Sequence, residues 1–221
     1  MKRRREMEKG SEIRSAIEEL SMMVKLKPGD NHDAAGHIPT KPFLYVCNLV
    51  IQVLDKIGPT MAVLRHDINN NIQRLEMGHE SDPVLNSNMV EMLKKEVNEG
   101  NARKVTSCSR AFVWLTRSMD FTLALIQKLA KDPEQSMEQA VEESYNLILK
   151  PWHGWISSAA FKIALKLVPD NKTFTNLLMG KDDNYETLKE DMQTLISLLM
   201  PFLEEIHTIL RVYGLDRLKS T

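Results

Sequence analysis

Two cysteines in 221 residues, Cys47 and Cys108, are too few for a disulfide framework. That excludes a small disulfide-stapled scaffold and points to two buried thiols in a reducing compartment. Long apolar runs are missing too, since no stretch approaches the roughly 20 consecutive apolar residues that a bilayer-spanning helix needs. No sign of charge dominates: 29 basic residues face 30 acidic ones, leaving a net charge of −1. No global basic field therefore points to nucleic acid. There is no alternating strand pattern, no glycine-rich phosphate loop, no Cys-x-x-Cys or His-x-x-x-His metal spacing, and no serine or cysteine nucleophile motif. No cofactor or metal is expected. The start Met1-Lys2-Arg3-Arg4-Arg5 is basic, but Glu6, Glu8, Glu12, Glu18 and Glu19 follow it. It therefore reads as neither a secretory signal nor a transit peptide, and the expected location is cytoplasmic.

What is present is an apolar fraction of 43%, enough for a sizeable core in one domain. Proline and glycine fall between runs of helical periodicity. A first helix is expected over about Glu12 to Lys25, followed by a loop through Pro28-Gly29-Asp30-Asn31 to Pro39. Thr40 is placed to cap a helix carrying Phe43, Val46, Cys47, Val50, Leu54 and Ile57, and Gly58-Pro59 marks a stop and restart. Further helices are expected near Met61–Met77, Val84–Asn98, Arg103–Lys131, from Ser136 to Leu149, around Trp155–Leu167, at Thr173–Met179, and over Tyr185–Val212 with a bend near Pro201. The expected fold is all-α.

Three segments interrupt these apolar patterns with recognition groups. In the first, Asp67, Asn71 and Arg74 lie at i, i+4 and i+7, on one helix face. A carboxylate, an amide and a guanidinium together can grip adjacent hydroxyls, and equally they can form an exposed polar face with a weak ion pair. In the second, Trp114 offers either core packing or a flat platform for a sugar ring, with Arg117 and Asp120 at its edge. In the third, His153 stands between Trp152 and Trp155 at a helix start. It can donate to a buried carbonyl or be satisfied by backbone. Tyr145 and Trp155 each have an apolar body and a polar tip, which suits either a membrane–water interface or the core.

Taken in order, Asp67-Ile68-x-x-Asn71-Ile72-x-Arg74, Trp114-Leu115-x-Arg117 and Trp152-His153-Gly154-Trp155 resemble the glycolipid transfer protein family, most of all its plant members. Thr40-Lys41-Pro42-Phe43-Leu44 and Ala164-Leu165-Lys166-Leu167-Val168-Pro169-Asp170 add to the resemblance. It covers about Thr40 to the C-terminus, which sets a division between an N-terminal extension, 1–39, partly helical or disordered, and a domain over 40–221. The resemblance implies a two-layer helical sandwich of about eight helices around an apolar lipid pocket. It implies that Asp67 and Asn71 bind sugar hydroxyls, Arg74 assists, Trp114 stacks on the sugar, His153 binds the ceramide amide carbonyl, and Trp155 and Tyr145 face the membrane.

A related branch that carries ceramide with a phosphate head has Lys and Arg where this chain has Asn71 and Trp114. A phosphate dianion wants cations, whereas a neutral sugar wants an amide and a ring face. The resemblance therefore implies a carrier for a glucosylceramide-like glycosphingolipid, monomeric and only transiently on membranes. The 13 methionines suit an adaptable lining. Asn70, Arg74 and Pro151 depart from residues common in relatives. A glycolipid-sensing or protein-interaction module, which binds without efficient transfer, is the alternative. An enzyme using Asp67 and His153 as an acid–base pair lacks any accompanying nucleophile or metal motif.

Overall fold

The computed structural model describes residues 11–25, 36–180 and 183–219. The basic segment 2–5 and the loop read at 28–35 lie outside them. Nine α-helices are described: α1 (Glu12–Lys25), α2 (Thr40–Ile57), α3 (Ala62–Ser81), α4 (Met89–Asn98), α5 (Cys108–Lys131), α6 (Met137–Ile148), α7 (Trp155–Leu165), α8 (Asn171–Leu178) and α9 (Tyr185–Val212). They form the two-layer all-α sandwich that the resemblance implied. Five of them close into a ring, α1 on α2, α2 on α3, α3 on α5, α5 on α9, and α9 back on α1. Helices α6, α7 and α8 cover the remaining side through contacts with α5, α6 and α2 respectively.

Local chemistry sets the helix limits. Ser107, Ser136, Asp170 and Asn184 each accept a hydrogen bond from the backbone N–H three residues on, giving α5, α6, α8 and α9 capped starts. These caps shorten two of the helices expected from periodicity. Helix α4 begins at Met89, because Asn88 Oδ1 accepts from both Val90 N and Ile38 N. Helix α5 begins at Cys108, because the Glu96 carboxylate accepts from Cys108 N at 2.8 Å and Ser109 N at 2.7 Å. A carboxylate on a helix N-terminus satisfies orphan N–H groups and complements the dipole. Thr40 does not cap α2. It is the first helical residue, and its hydroxyl donates to the Asn86 carbonyl. Gly58 has φ 111°, a conformation that disfavours any side chain, and it turns the chain from α2 towards α3. Helix α9 runs as one element through Pro201.

Phe43 of α2 and Phe112 of α5 are fully buried with ring centroids 4.9 Å apart, and they tie the two helices together. The division expected at residue 39 is not a division of the core. Ile13, Ala16, Leu20 and Met23 of α1 are buried in the same apolar cluster as Phe43 and Phe112. Arg14 reinforces this contact through ion pairs to Asp183 and Asp191. The amphipathic stripe of α1 needs an apolar partner, and α2 and α9 supply it.

Because Leu20 is 1% exposed, Leu20→Ala is expected to cost roughly 2–5 kcal/mol in chemical denaturation. A single cooperative transition shifted by that amount is the expected result. A loss well under about 1 kcal/mol would show that α1 lies outside the cooperative core.

Candidate functional site

Helix α2 is buried along its first half, but beyond Leu49 none of its residues is buried. Val50, Val53, Leu54 and Ile57 instead line an apolar cavity of about 250 Å³. Helix α1 contributes Ile13 and Ala16, α9 contributes Leu195 and Leu199, and α7 contributes Phe161 and Leu165. Among the described residues no lysine or arginine lines it. Among the polar side chains that do line it are Asp67 of α3 and His153 of the α6–α7 turn, joined by the indole of Trp114 from α5. Three groups from far-apart segments thus share one cavity.

Their surroundings differ. Asp67 is accessible to solvent, yet enclosure by its neighbours raises its carboxyl above the usual range, with His153, His66 and Arg74 opposing the rise. Burial lowers His153 below the usual histidine range; nearby Asp67 opposes the shift and Arg117 adds to it. The His153 ring lies 5.4 Å from the Trp114 ring and 5.5 Å from that of Tyr145. Its Nδ1 is 3.3 Å from the Tyr145 hydroxyl, which is also 3.2 Å from Ser158 Oγ. The Tyr145 hydroxyl has one proton: where Ser158 takes it, His153 Nδ1–H donates to Tyr145, and where Ser158 donates instead, Nδ1 accepts and a neutral His153 carries its proton on Nε2 and can donate there.

Asn71 and Arg74 are placed differently from Asp67. Asn71 is buried, its amide nitrogen donates to the Asp67 backbone carbonyl at 3.0 Å, and its Oδ1 meets Arg74 Nη1 at 3.5 Å. Neither residue lines the cavity. They brace the turn that carries Asp67. The Asp120 carboxylate meets His207 Nε2 of α9 at 2.9 Å.

Tyr145 does not face outwards. It is 4% exposed and its ring stacks on Phe161 at 3.5 Å, nearly parallel. The reading of Tyr145 as membrane-facing is therefore corrected: position on α6 turns the ring inwards, where the hydroxyl serves His153. Trp155 is 81% exposed and does face outwards. With it on α7 stand the exposed Ile156 and Ile163, and no residue of this apolar helix is buried. Pro151 fits its turn, since the N–H groups of Trp152 and His153 both reach the Leu149 carbonyl and no donor is asked of residue 151. Asn70 is exposed beside Asn71.

Sequence reasoning underrated Arg117. Its guanidinium carbon lies 4.9 Å from the Trp114 ring centre and 4.1 Å from that of Trp152, so it stacks between them rather than at a sugar edge. The i, i+3 spacing of Trp114 and Arg117 signalled half of this contact. The other half depends on where the α6–α7 turn lands.

The family model described as glycolipid transfer protein matches residues 38–180. The chain is similar to Glycolipid transfer protein 3 of Arabidopsis thaliana, 58% identical over the whole of both chains. It is 56% identical to Glycolipid transfer protein 2 of the same organism, again over the whole of both chains. Among solved structures it is similar to one described as showing how FAPP2 selects simple glycosphingolipids using the GLTP-fold, with TM-score 0.77 and 25% identity over 86% of this chain and 92% of that one. An Arabidopsis accelerated-cell-death 11 mutant bound to ceramide-1-phosphate shares the fold at TM-score 0.80 and 17% identity, over 93% of this chain and 98% of that one.

The two shifts at the cavity are coupled. In lipid-free protein, NMR titration is expected to find His153 below its ordinary value of 6.5. Asp67→Asn removes a charge that favours the imidazolium and should lower His153 further. A His153 titration that stays at the free-histidine value, or that Asp67→Asn leaves unmoved, would separate the two groups.

Proposed function

This chain belongs to the glycolipid transfer protein family, whose members carry lipid rather than transform it, and on that footing we propose that it binds one glycosphingolipid of the glucosylceramide type and moves it between membranes. The observation that carries this reading is the grouping of Asp67, Trp114 and His153 on one otherwise apolar cavity. A ceramide carries on the order of 25–30 methylenes, so at about 0.8 kcal/mol each its bare passage through water costs roughly 20 kcal/mol. A carrier substitutes its own apolar cavity for the bilayer. The cavity supplies most of the affinity, and the polar groups supply selection.

Head-group chemistry favours a neutral sugar over a phosphate. Asp67 accepts from sugar hydroxyls and from the amide N–H of ceramide, Trp114 offers a ring face, and His153 donates to the amide carbonyl. A phosphate would meet the Asp67 carboxylate with no lysine or arginine among the described residues of the cavity wall to offset it. Asn71 and Arg74 assist by holding Asp67 and by meeting hydroxyls that extend beyond it. The relatives named for glycolipid transfer, and the structure described by its selection of simple glycosphingolipids, support the same choice.

Membrane contact is read from α7. An apolar helix with no buried residue has unmet apolar surface, and Trp155, Ile156 and Ile163 are 81%, 64% and 67% exposed. A tryptophan at this place suits the interfacial layer of a bilayer. No helix among the described residues is long and apolar enough to cross one. The carrier acts as a monomer in the cytoplasm, where its two free thiols persist.

Transfer of glucosylceramide between vesicles tests the function. Wild type is expected to accelerate it, and Asp67→Val and Trp114→Ala are each expected to lower the rate about ten-fold or more, because a head-group hydrogen-bond acceptor or a ring platform is lost. Ceramide phosphate is expected to move poorly. Full activity in both variants would overturn the site, equal rates for the two lipids would overturn the sugar preference, and binding without acceleration would favour a sensing role.

A separate measurement addresses docking. Trp155→Ala is expected to reduce binding to lipid vesicles several-fold while leaving the melting temperature unchanged, since the residue is exposed. Undiminished vesicle binding would remove α7 from the membrane-facing surface.

A further inference from the structure

Three elements meet at Arg117, a residue only 4% exposed. It rises from α5 one turn after Trp114, it stacks on Trp152 of the α6–α7 turn, and its Nη2 donates to the Asp216 carbonyl of the C-terminal segment at 3.0 Å. Its Nη1 is buried with no hydrogen-bond partner among the described residues. Among the described residues no carboxylate forms an ion pair with it. Two indole faces therefore carry much of what stabilises this cation, an arrangement that planar guanidinium permits and a lysine ammonium does not reproduce. Burial lowers it to about 10, opposed by Asp120 and Asp216 and assisted by Arg110.

The cost of burying this cation is set against its consequence for the site. Trp114 lines the cavity with one part of its surface and touches Arg117 with another. Trp152 immediately precedes His153 in the turn. One side chain thus sits behind both the ring platform and the amide-binding imidazole. It belongs to a set: Arg103, Arg110 and Arg117 donate to the backbone carbonyls of Gly214, Lys219 and Asp216. Among the described residues only Arg117 of the three lies over a tryptophan ring, so it joins the C-terminal segment to the two indoles.

We propose that Arg117 is a positioning residue for head-group selection: clamped between Trp114 and Trp152 and anchored on the Asp216 carbonyl, it fixes the Trp114 ring relative to His153. The inference rests on the reading of Trp114 and His153 as sugar and amide contacts. Arg117 touches no cargo; it acts through the two rings. Its loss loosens the platform without emptying the apolar cavity, so selection falls more than uptake of the lipid tails.

The test compares wild type, Arg117→Met, Arg117→Lys and, as a control for destabilisation alone, Arg110→Met, all in the full chain. Arg110 is also buried and also holds the C-terminal segment, through Lys219. The first readout is the ratio of glucosylceramide to sugar-free ceramide transferred between phosphatidylcholine vesicles. Arg117→Met is expected to lower this ratio about ten-fold, Arg117→Lys to lower it less, and Arg110→Met to leave it unchanged. The second readout uses lipid-free protein: the His153 titration should move up in Arg117→Met, because a neighbouring cation is gone, and the Trp114 indole N–H resonance should shift in both Arg117 variants. An unchanged ratio with only a lowered melting temperature, as in Arg110→Met, would overturn the proposal. If Arg117→Met does not fold, the ratio and the indole shift in Arg117→Lys decide it. Failure of wild type to move glucosylceramide would overturn the proposed function instead; unmoved His153 and Trp114 signals in lipid-free Arg117 variants would overturn the positioning role whatever the cargo.

Discussion

An apolar cavity inside a helical protein is a standing deficit, and the rest of this structure is organised around it. At about 24 cal/mol per Å³, a void of 250 Å³ forgoes on the order of 6 kcal/mol of packing, against a total stability of about 5–15 kcal/mol for a domain. Collapse of α2 onto α5 beyond Leu49 would recover it. The closed ring of α1, α2, α3, α5 and α9 resists that collapse, because each helix is already held by two neighbours. Fully buried Phe43 and Phe112 set the α2–α5 spacing, and the Glu96 carboxylate pins the start of α5. Rigidity around the cavity, rather than within it, keeps the space open.

The cavity wall also acts on the ionisable groups beside it. Enclosure is the largest cause of the shift at Asp67, His153 and Arg117 alike, and in each case it pushes towards the neutral form. The carboxylate and the imidazole temper each other, while the guanidinium is met by aromatic faces and a backbone carbonyl. Such a site has little uncompensated charge to offer a ligand. It is suited to groups that bind through hydrogen-bond direction and ring contact, which is how sugar hydroxyls and an amide differ from a phosphate.

Much of this was legible in the chain. Apolar periodicity and Pro/Gly punctuation located the helices, and α9 was placed to the residue. Caps were harder. Asn88 also accepts from Ile38 N, and the Glu96 carboxylate accepts from Cys108 N and Ser109 N just after Ser107, so α4 and α5 start later than their apolar patterns do. Asp67, Trp114 and His153 could be named together because motif order carried information that spacing alone lacked. Tyr145 could not be oriented, because whether an amphipathic ring faces water or Phe161 is a tertiary fact. Arg117 escaped for a related reason: one of its two ring partners lies 35 residues away across a turn. The role of α1 was hidden likewise, since its stripe shows that a partner is needed but not which one.

Helix α7 shows why function and incomplete burial belong together. Phe161, Ala164 and Leu165 face the cavity, whereas Trp155, Ile156 and Ile163 face outwards. A helix with apolar residues on both sides ordinarily lies in the middle of a core. Here one side meets a cavity and the other meets solvent, so α7 gains least from the lipid-free fold and most from any apolar partner. Its main attachment among the described helices is to α6. Low local stability is the usual property of elements that move when ligands enter. A bilayer that took the outer face would act on the same helix that walls the cavity, through side chains a single helical diameter apart. Surface that would be a liability in a protein with a filled core lies, on this helix, directly behind the cavity wall.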